Sequence, residues 1–141
     1  MTKVLRDTPK YEQYTGPRVK SNETDRTGEN SDDAVVYVES KYPETCTEFK
    51  RIQKEQYELF CNKQMDYGPT NISVGTNLAT EADVKLSLTG LWFRMNDKIQ
   101  RLKNLLMGGQ KANNEPLVDS FLDVSNYGIM ATIVKNGKWG K

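Results

Sequence analysis

TEADVKLSLTGLWFRMNDKIQRLKNLLMGG, residues 80–109, decides the fold. Thr80 stands three residues before Asp83, the spacing at which a cap residue and the third helical residue satisfy each other's backbone N–H groups. Gly108 and Gly109 close the stretch, as glycine does after a helix. Between these signals Leu88, Leu91, Trp92, Met95, Ile99, Leu102 and Leu106 recur at helical spacing. Arg94, Asp97, Lys98, Arg101 and Lys103 take the other side. The pattern predicts an amphipathic helix over about 80–107, the longest element of the chain. Gly90 interrupts it, at a cost of about 1 kcal/mol relative to alanine. That points either to a later start or to close approach by another backbone.

Upstream, Gly, Pro and Asn recur too often between residues 66 and 80 for regular structure, so this stretch reads as a loop. Before it, Phe49, Ile52, Leu59 and Phe60 form an apolar face over about 45–64, with Thr45 or Thr47 as cap after Pro43. Ala34-Val35-Val36-Tyr37-Val38 reads as a short strand. Downstream, Asn113-Asn114 serves as cap and Glu115-Pro116 as first turn for a third helix to about Lys135. Its core candidates are Leu117, Phe121, Val124, Met130, Ile133 and Val134. Trp139 follows in the tail and is expected to pack on the domain or on a partner subunit.

The expectation is therefore an all-α fold with a three-helix core at about 45–64, 80–107 and 115–135, forming one domain over residues 34–141. Three helices make a thin core, so a helical bundle completed as a homo-oligomer is expected. Residues 1–33 are too polar to bury enough surface against chain entropy, and read as a disordered or partner-docking arm. Tyr11, Tyr14 and Thr15-Gly16-Pro17-Arg18 belong either to a docking segment or to a solvated tail.

Composition limits the chemistry. The formal net charge of +1 gives no overall attraction to nucleic acid or membrane, and no reader motif for nucleic acid appears. There is no histidine, which removes the commonest general base and the usual transition-metal ligand. Cys46 and Cys61 lie on one helix, where fifteen residues at a rise of about 1.5 Å keep them apart. With no apolar leader and no run long enough to span a bilayer, the cytoplasm is expected, that of the host if the gene is a phage gene. The sequons at Asn22 and Asn71 then read as chance matches.

Carboxylates, lysines, arginines and tyrosines remain. Glu115, Asp119, Asp123 and Asn126 form one polar stripe at helical spacing, with Tyr127 at its edge. Two acids one turn apart repel unless a cation intervenes, and a divalent metal would satisfy them. Glu55 and Glu58 offer a second acid pair on the first helix. An oxygen-only set of this kind suits Mg²⁺, which holds substrate phosphates and activates water. The plainer alternative is that these acids are solvated surface, paired with bases at i, i+4.

A set of separated motifs now falls in order: Lys63-Gln64-Met65-Asp66-Tyr67-Gly68 with Asn71, then Gly90 before Arg94-Met95-Asn96-Asp97-Lys98 and Arg101-Leu102, then Glu115, Asp119, Asp123 and Asn126-Tyr127. Over about residues 44–135 the chain resembles the phage and bacterial nucleotide modification associated domain 1 family. The resemblance implies an all-α domain encoded among genes of nucleotide metabolism, broadly similar to the MazG-like nucleoside triphosphate pyrophosphatases. Those enzymes carry Glu-x-x-Glu on an early helix and Glu-x-x-Asp on a later one, and use Mg²⁺ to release pyrophosphate. Glu55 and Glu58 match the first spacing; Glu115, Asp119 and Asp123, four residues apart, depart from the second.

The leading expectation is a nucleotide-handling protein acting in nucleotide metabolism or DNA base modification, in its catalytic form an Mg²⁺-dependent (deoxy)nucleoside triphosphate pyrophosphohydrolase. Glu55, Glu58, Asp119 and Asp123 would hold the metal, with Glu55 and Asp123 catalytic. Lys63, Lys98 and Arg101 would contact phosphates, and Tyr67, Asn71, Arg94, Asp97, Asn126 and Tyr127 complete the nucleotide-binding set. The alternatives are a non-catalytic nucleotide binder, either a sponge for a signalling nucleotide or an accessory to base modification, and a purely structural oligomerisation module.

Overall fold

The computed structural model describes residues 29–141, and its elements are five helices: α1 (Glu29–Lys41), α2 (Pro43–Tyr67), α3 (Thr70–Ser73), α4 (Glu81–Met107) and α5 (Leu117–Lys135). No strand occurs among the described residues, and none of their helices is long and apolar enough to cross a membrane. The described residues divide by contact into two units, one up to Glu48 and one from Phe49 to Lys141.

In the first unit, Ala34–Val38 lies inside α1 instead of forming a strand. A lone strand has no partner to take its backbone hydrogen bonds, whereas a helix satisfies them internally. The i→i−4 bonds continue past the end of α1, with Tyr42 N donating to Val38 O and Cys46 N to Tyr42 O. The arm expected over residues 1–33 lies mostly outside the described residues, with Tyr11, Tyr14 and Asn22, and its junction at 33/34 falls within α1. Pro43 opens α2 as its first residue, the position where a missing N–H costs nothing.

The second unit is built on α4 and α5, which pack against each other, with α3 laid on α4. The capping box at the start of α4 forms as its sequence predicts: Asp83 N donates to Thr80 Oγ1 and Thr80 N to Asp83 Oδ2. Leu91 and Val134 are buried almost completely, and with Ile72, Met130 and Trp139 they make the core. Ser87 and Ser120, wholly enclosed, let the helices come close. Ser87 Oγ donates to the Ile72 carbonyl at 2.6 Å, tying α3 to α4.

Several expectations are corrected by this packing. Trp92, Ile99 and Leu106 of α4 are exposed, as are Phe49 of α2 and Phe121 of α5, so the apolar stripes are wider than the surface they bury. α5 starts after Pro116, whose extended backbone precedes the helix, and no side chain caps it; Asn113-Asn114 stands too far upstream. The stretch between α2 and α4 is not only loop, because α3 forms within it and ends at Val74 in the left-handed conformation. Gly90 reflects neither a late helix start nor a close backbone. α4 begins at Glu81, and the nearest atom to a Cβ placed there would be Val74 Cγ2 at 3.7 Å, an ordinary contact.

Trp139 packs on the domain: its indole is buried, meets Phe60 edge to face at 6.1 Å between ring centres, and donates to the Pro69 carbonyl at 3.0 Å. Both cysteines are free.

Candidate functional site

Three helical faces converge beside the core. On α2, Lys63, Gln64 and Tyr67 lie three, four and seven residues after Phe60 and so share one side of the helix. On α5, Asn126, Tyr127 and Met130 stand at the same steps after Asp123. α4 adds Arg94, and α3 adds Asn71 and Ile72. Together they line a cavity of about 180 Å³. Lys63, Tyr67, Asn71, Arg94, Asp123, Asn126 and Tyr127, all read from the sequence as site residues, are thus brought to one place.

The deep wall is built on Asp123, a buried carboxylate held from two helices. Lys98 Nζ donates to Oδ2 at 2.8 Å and Lys63 Nζ to Oδ1 at 3.2 Å. Burial pushes the Asp123 carboxyl up, but the hydrogen bonds and charges of Lys98 and Lys63 together outweigh it and hold the group below the ordinary aspartate value. The hydrogen bond to Asp123 raises the Lys98 ammonium above its usual range, against the lowering effect of burial. Lys98 also lies 3.7 Å from Glu115. One turn on, Arg101 donates to the Ser120 hydroxyl and to the carbonyls of Glu115 and Pro116, which fixes the chain entering α5. Asn126 Nδ2 donates to the Gln56 carbonyl of α2 at 3.4 Å.

The mouth differs. Lys63, Tyr67 and Arg94 are exposed, and among the described residues Arg94 forms no ion pair. The Asn71 side-chain oxygen is enclosed in the cavity wall without a hydrogen-bond partner among the described residues.

The carboxylates expected to share Mg²⁺ are not brought together. Glu55 pairs with Arg51 and Glu58 with Lys54, one turn away on α2 and open to solvent, the plainer reading of those acids. Asp119 does not line the cavity, and both oxygens of Asp123 face ammonium groups. No group of three or more acids and cysteines placed to hold a metal occurs among the described residues. The donor set therefore does not fit the ion, and no chemical step is derived through it. Asp97 is exposed beside the site rather than in it, because one residue along a helix turns a side chain about 100° from its neighbour Lys98. Lys98 and Arg101 stand behind the wall rather than lining the cavity.

Phe60, Gln64, Ile72 and Met130 line the cavity, and Ser120 anchors Arg101, without having been read from the sequence as site residues. Ser120 is three residues before Asp123 on the same helical face, which is the signal that could have found it.

Comparison with protein families matches residues 63–134 to nucleotide modification associated domain 1. The chain belongs to that family. The family span takes in Lys63, Tyr67, Asn71, Arg94, Asp123, Asn126 and Tyr127, and leaves Glu55 and Glu58 outside. No curated protein and no solved structure matches the chain.

Proposed function

We propose that this nucleotide modification associated domain binds a nucleotide in the cavity between α2, α4 and α5, without a resident metal. The observation that carries the proposal is the convergence of Lys63 and Arg94, two tyrosines and two asparagines on one cavity inside the family span. Lysine and arginine suit a phosphate. Tyrosine faces suit a base, and amides suit its edge. Asp123 orients Lys63 and Lys98 rather than acting on the ligand.

Mg²⁺-dependent pyrophosphohydrolysis of the MazG-like kind finds less support, because Glu55 and Glu58 are occupied with bases of their own helix. Calorimetric titration with nucleoside mono- and triphosphates, with and without a chelator, tests the proposal. Binding that survives chelation is expected. Absence of binding to every nucleotide would overturn it, and Mg²⁺-dependent turnover would overturn its metal-free form.

Self-association is a second reading with its own observation. The exposed Trp92, Ile99 and Leu106 recur every seven residues along α4, the spacing of a helix-pairing seam with a second copy of this chain. Sedimentation of the full chain beside Ile99→Glu tests it: a dimer lost in the variant is expected, and a wild-type monomer at all concentrations overturns it.

A further inference from the structure

A second cavity adjoins the one assigned to the nucleotide. It lies between α2 and α5, has a volume of about 290 Å³, and is lined by Tyr57, Phe60, Ile129, Met130 and Ile133 with the amides of Gln53, Gln56 and Asn126 among them. Among the described residues, no charged side chain lines it. A phosphate there would be desolvated with no cation to answer it, whereas an uncharged ring with hydrogen-bonding edges suits both the apolar walls and the amides. The rings of Tyr57 and Phe60 lie 24° from parallel with 6.5 Å between their centres. Tyr57 and Ile129 are exposed, so part of this apolar lining stands in water.

The two cavities share a wall. Phe60, Asn126 and Met130 belong to both linings, so a ligand seated against them in the first cavity adjoins the second. Lys63 and Arg94 line the first cavity and not the second, so the cationic lining ends where the apolar space begins. The first has a volume of about 180 Å³. A cavity of about 150 Å³ admits benzene, so that space suits one base and not two. On α2 its lining runs from Phe60 to Tyr67 and that of the second cavity from Gln53 to Phe60, seven residues apart, or about 10 Å at a rise of about 1.5 Å per residue.

Resting on the nucleotide-binding reading above, we infer that the ligand is a dinucleotide: two nucleosides joined through phosphate, with one base in the cationic cavity and the other across the Phe60–Asn126–Met130 wall in the apolar one. Neighbouring bases stacked along a strand lie about 3.4 Å apart, too close to reach from one cavity to the other. The ligand therefore binds extended, with its bases unstacked and each laid on its own protein surface.

The 5′-phosphorylated mononucleotides of the four common bases and the matching homodinucleotides, titrated calorimetrically into the full chain, give the test. At least one dinucleotide is expected to bind about tenfold or more tighter than its mononucleotide. Tyr57→Ala and Ile129→Glu alter exposed positions of the apolar cavity, and thermal unfolding run alongside shows that they are folded. In both, the advantage should shrink to within about threefold while mononucleotide affinity stays unchanged. Dinucleotides that bind no tighter than mononucleotides overturn the second base site and leave the first standing. An advantage that persists in both folded variants, or a loss shared equally by the mononucleotides, also overturns it. So does a wild-type dimer that Ile129→Glu dissociates in sedimentation, which would give the apolar cavity to a second copy of the chain. Failure of every nucleotide to bind overturns the nucleotide reading itself, so the two failures are distinguishable.

Discussion

Lys98 and Arg94 stand one turn apart on α4 and live in different electrostatic worlds. Around Lys98 and Arg101 the charges are answered: Asp123 and Glu115 face Lys98, while Ser120 and two carbonyls take Arg101. Around Arg94 the described residues offer no ion-pair partner, and the nearby Asn71 oxygen accepts from nothing. A buried charge is costly unless paired, so the closed end contributes to stability by being complete. The open end contributes nothing comparable to the fold. Its incompleteness is what the proposed nucleotide binding rests on.

The largest effect should come from the closed end. Asp123→Asn removes the charge that Lys63 and Lys98 share, and is expected to destabilise the fold by about 2–3 kcal/mol in chemical denaturation. Asp97→Asn, on an exposed carboxylate of the same region, should change stability by less than about 0.5 kcal/mol. A loss for Asp123→Asn no greater than for Asp97→Asn would break the contrast between the two ends.

Arg94→Ala tests the other side. Stability should stay within about 0.5 kcal/mol of the parent, while affinity for a nucleoside triphosphate falls about tenfold, near 1.4 kcal/mol. Titration calorimetry reads the first-order contrast directly. A variant that loses stability instead of affinity would place Arg94 with Lys98 and not with the mouth.

Next in size is a gain. An alanine Cβ at position 90 meets nothing closer than Val74 Cγ2 at 3.7 Å, so Gly90→Ala should stabilise α4 by about 1 kcal/mol. Thermal unfolding checks this. Nucleotide affinity should follow only if α3, which carries Asn71, shifts with Val74.

The smallest effect is on pH. The depressed Asp123 contributes stability that is present above the ordinary aspartate value and is lost as pH falls through its lower folded value. The raised Lys98 contributes below the ordinary lysine value and is lost as pH rises through its higher folded value. Denaturation midpoints should therefore show a pair contribution that is constant between those two ranges. Asp123→Asn should remove the acid-side part, leaving a shallower decline at low pH; an identical decline in both proteins would contradict the assignment.

Much of this architecture was readable because its signals are local. Thr80 and Asp83 announce the start of α4 and Gly108 its end, whereas α2 runs from Pro43 to Tyr67, past both ends of the expected 45–64, with Thr45 and Thr47 inside the helix instead of capping it. The residues of the cavity could be read as a set from separated motifs, and helical steps place Lys63 with Tyr67 and Asp123 with Asn126 and Tyr127. What could not be read is rotation about each helix axis. Glu55 and Gln56 are neighbours in sequence, yet Gln56 is buried and Glu55 is open to solvent, so an acid pair with suitable spacing sits on the wrong side. Asp97 and Lys98 divide in the same way. The β-branched run at 34–38 failed for another reason, since strand propensity describes fit to a sheet and no sheet exists among the described residues.

Trp139 links the chain's last residues to Pro69, immediately before α3, through its indole N–H. The molecule holds only one other tryptophan, Trp92, and that ring is largely exposed. The two indoles are thus sorted by solvent, and in a Trp92→Phe protein the remaining emission would come from the ring that braces the segment carrying Asn71. Its colour would report whether that brace is engaged, which turns the end of the chain into a built-in optical gauge of how firmly the α3 wall of the cavity is seated.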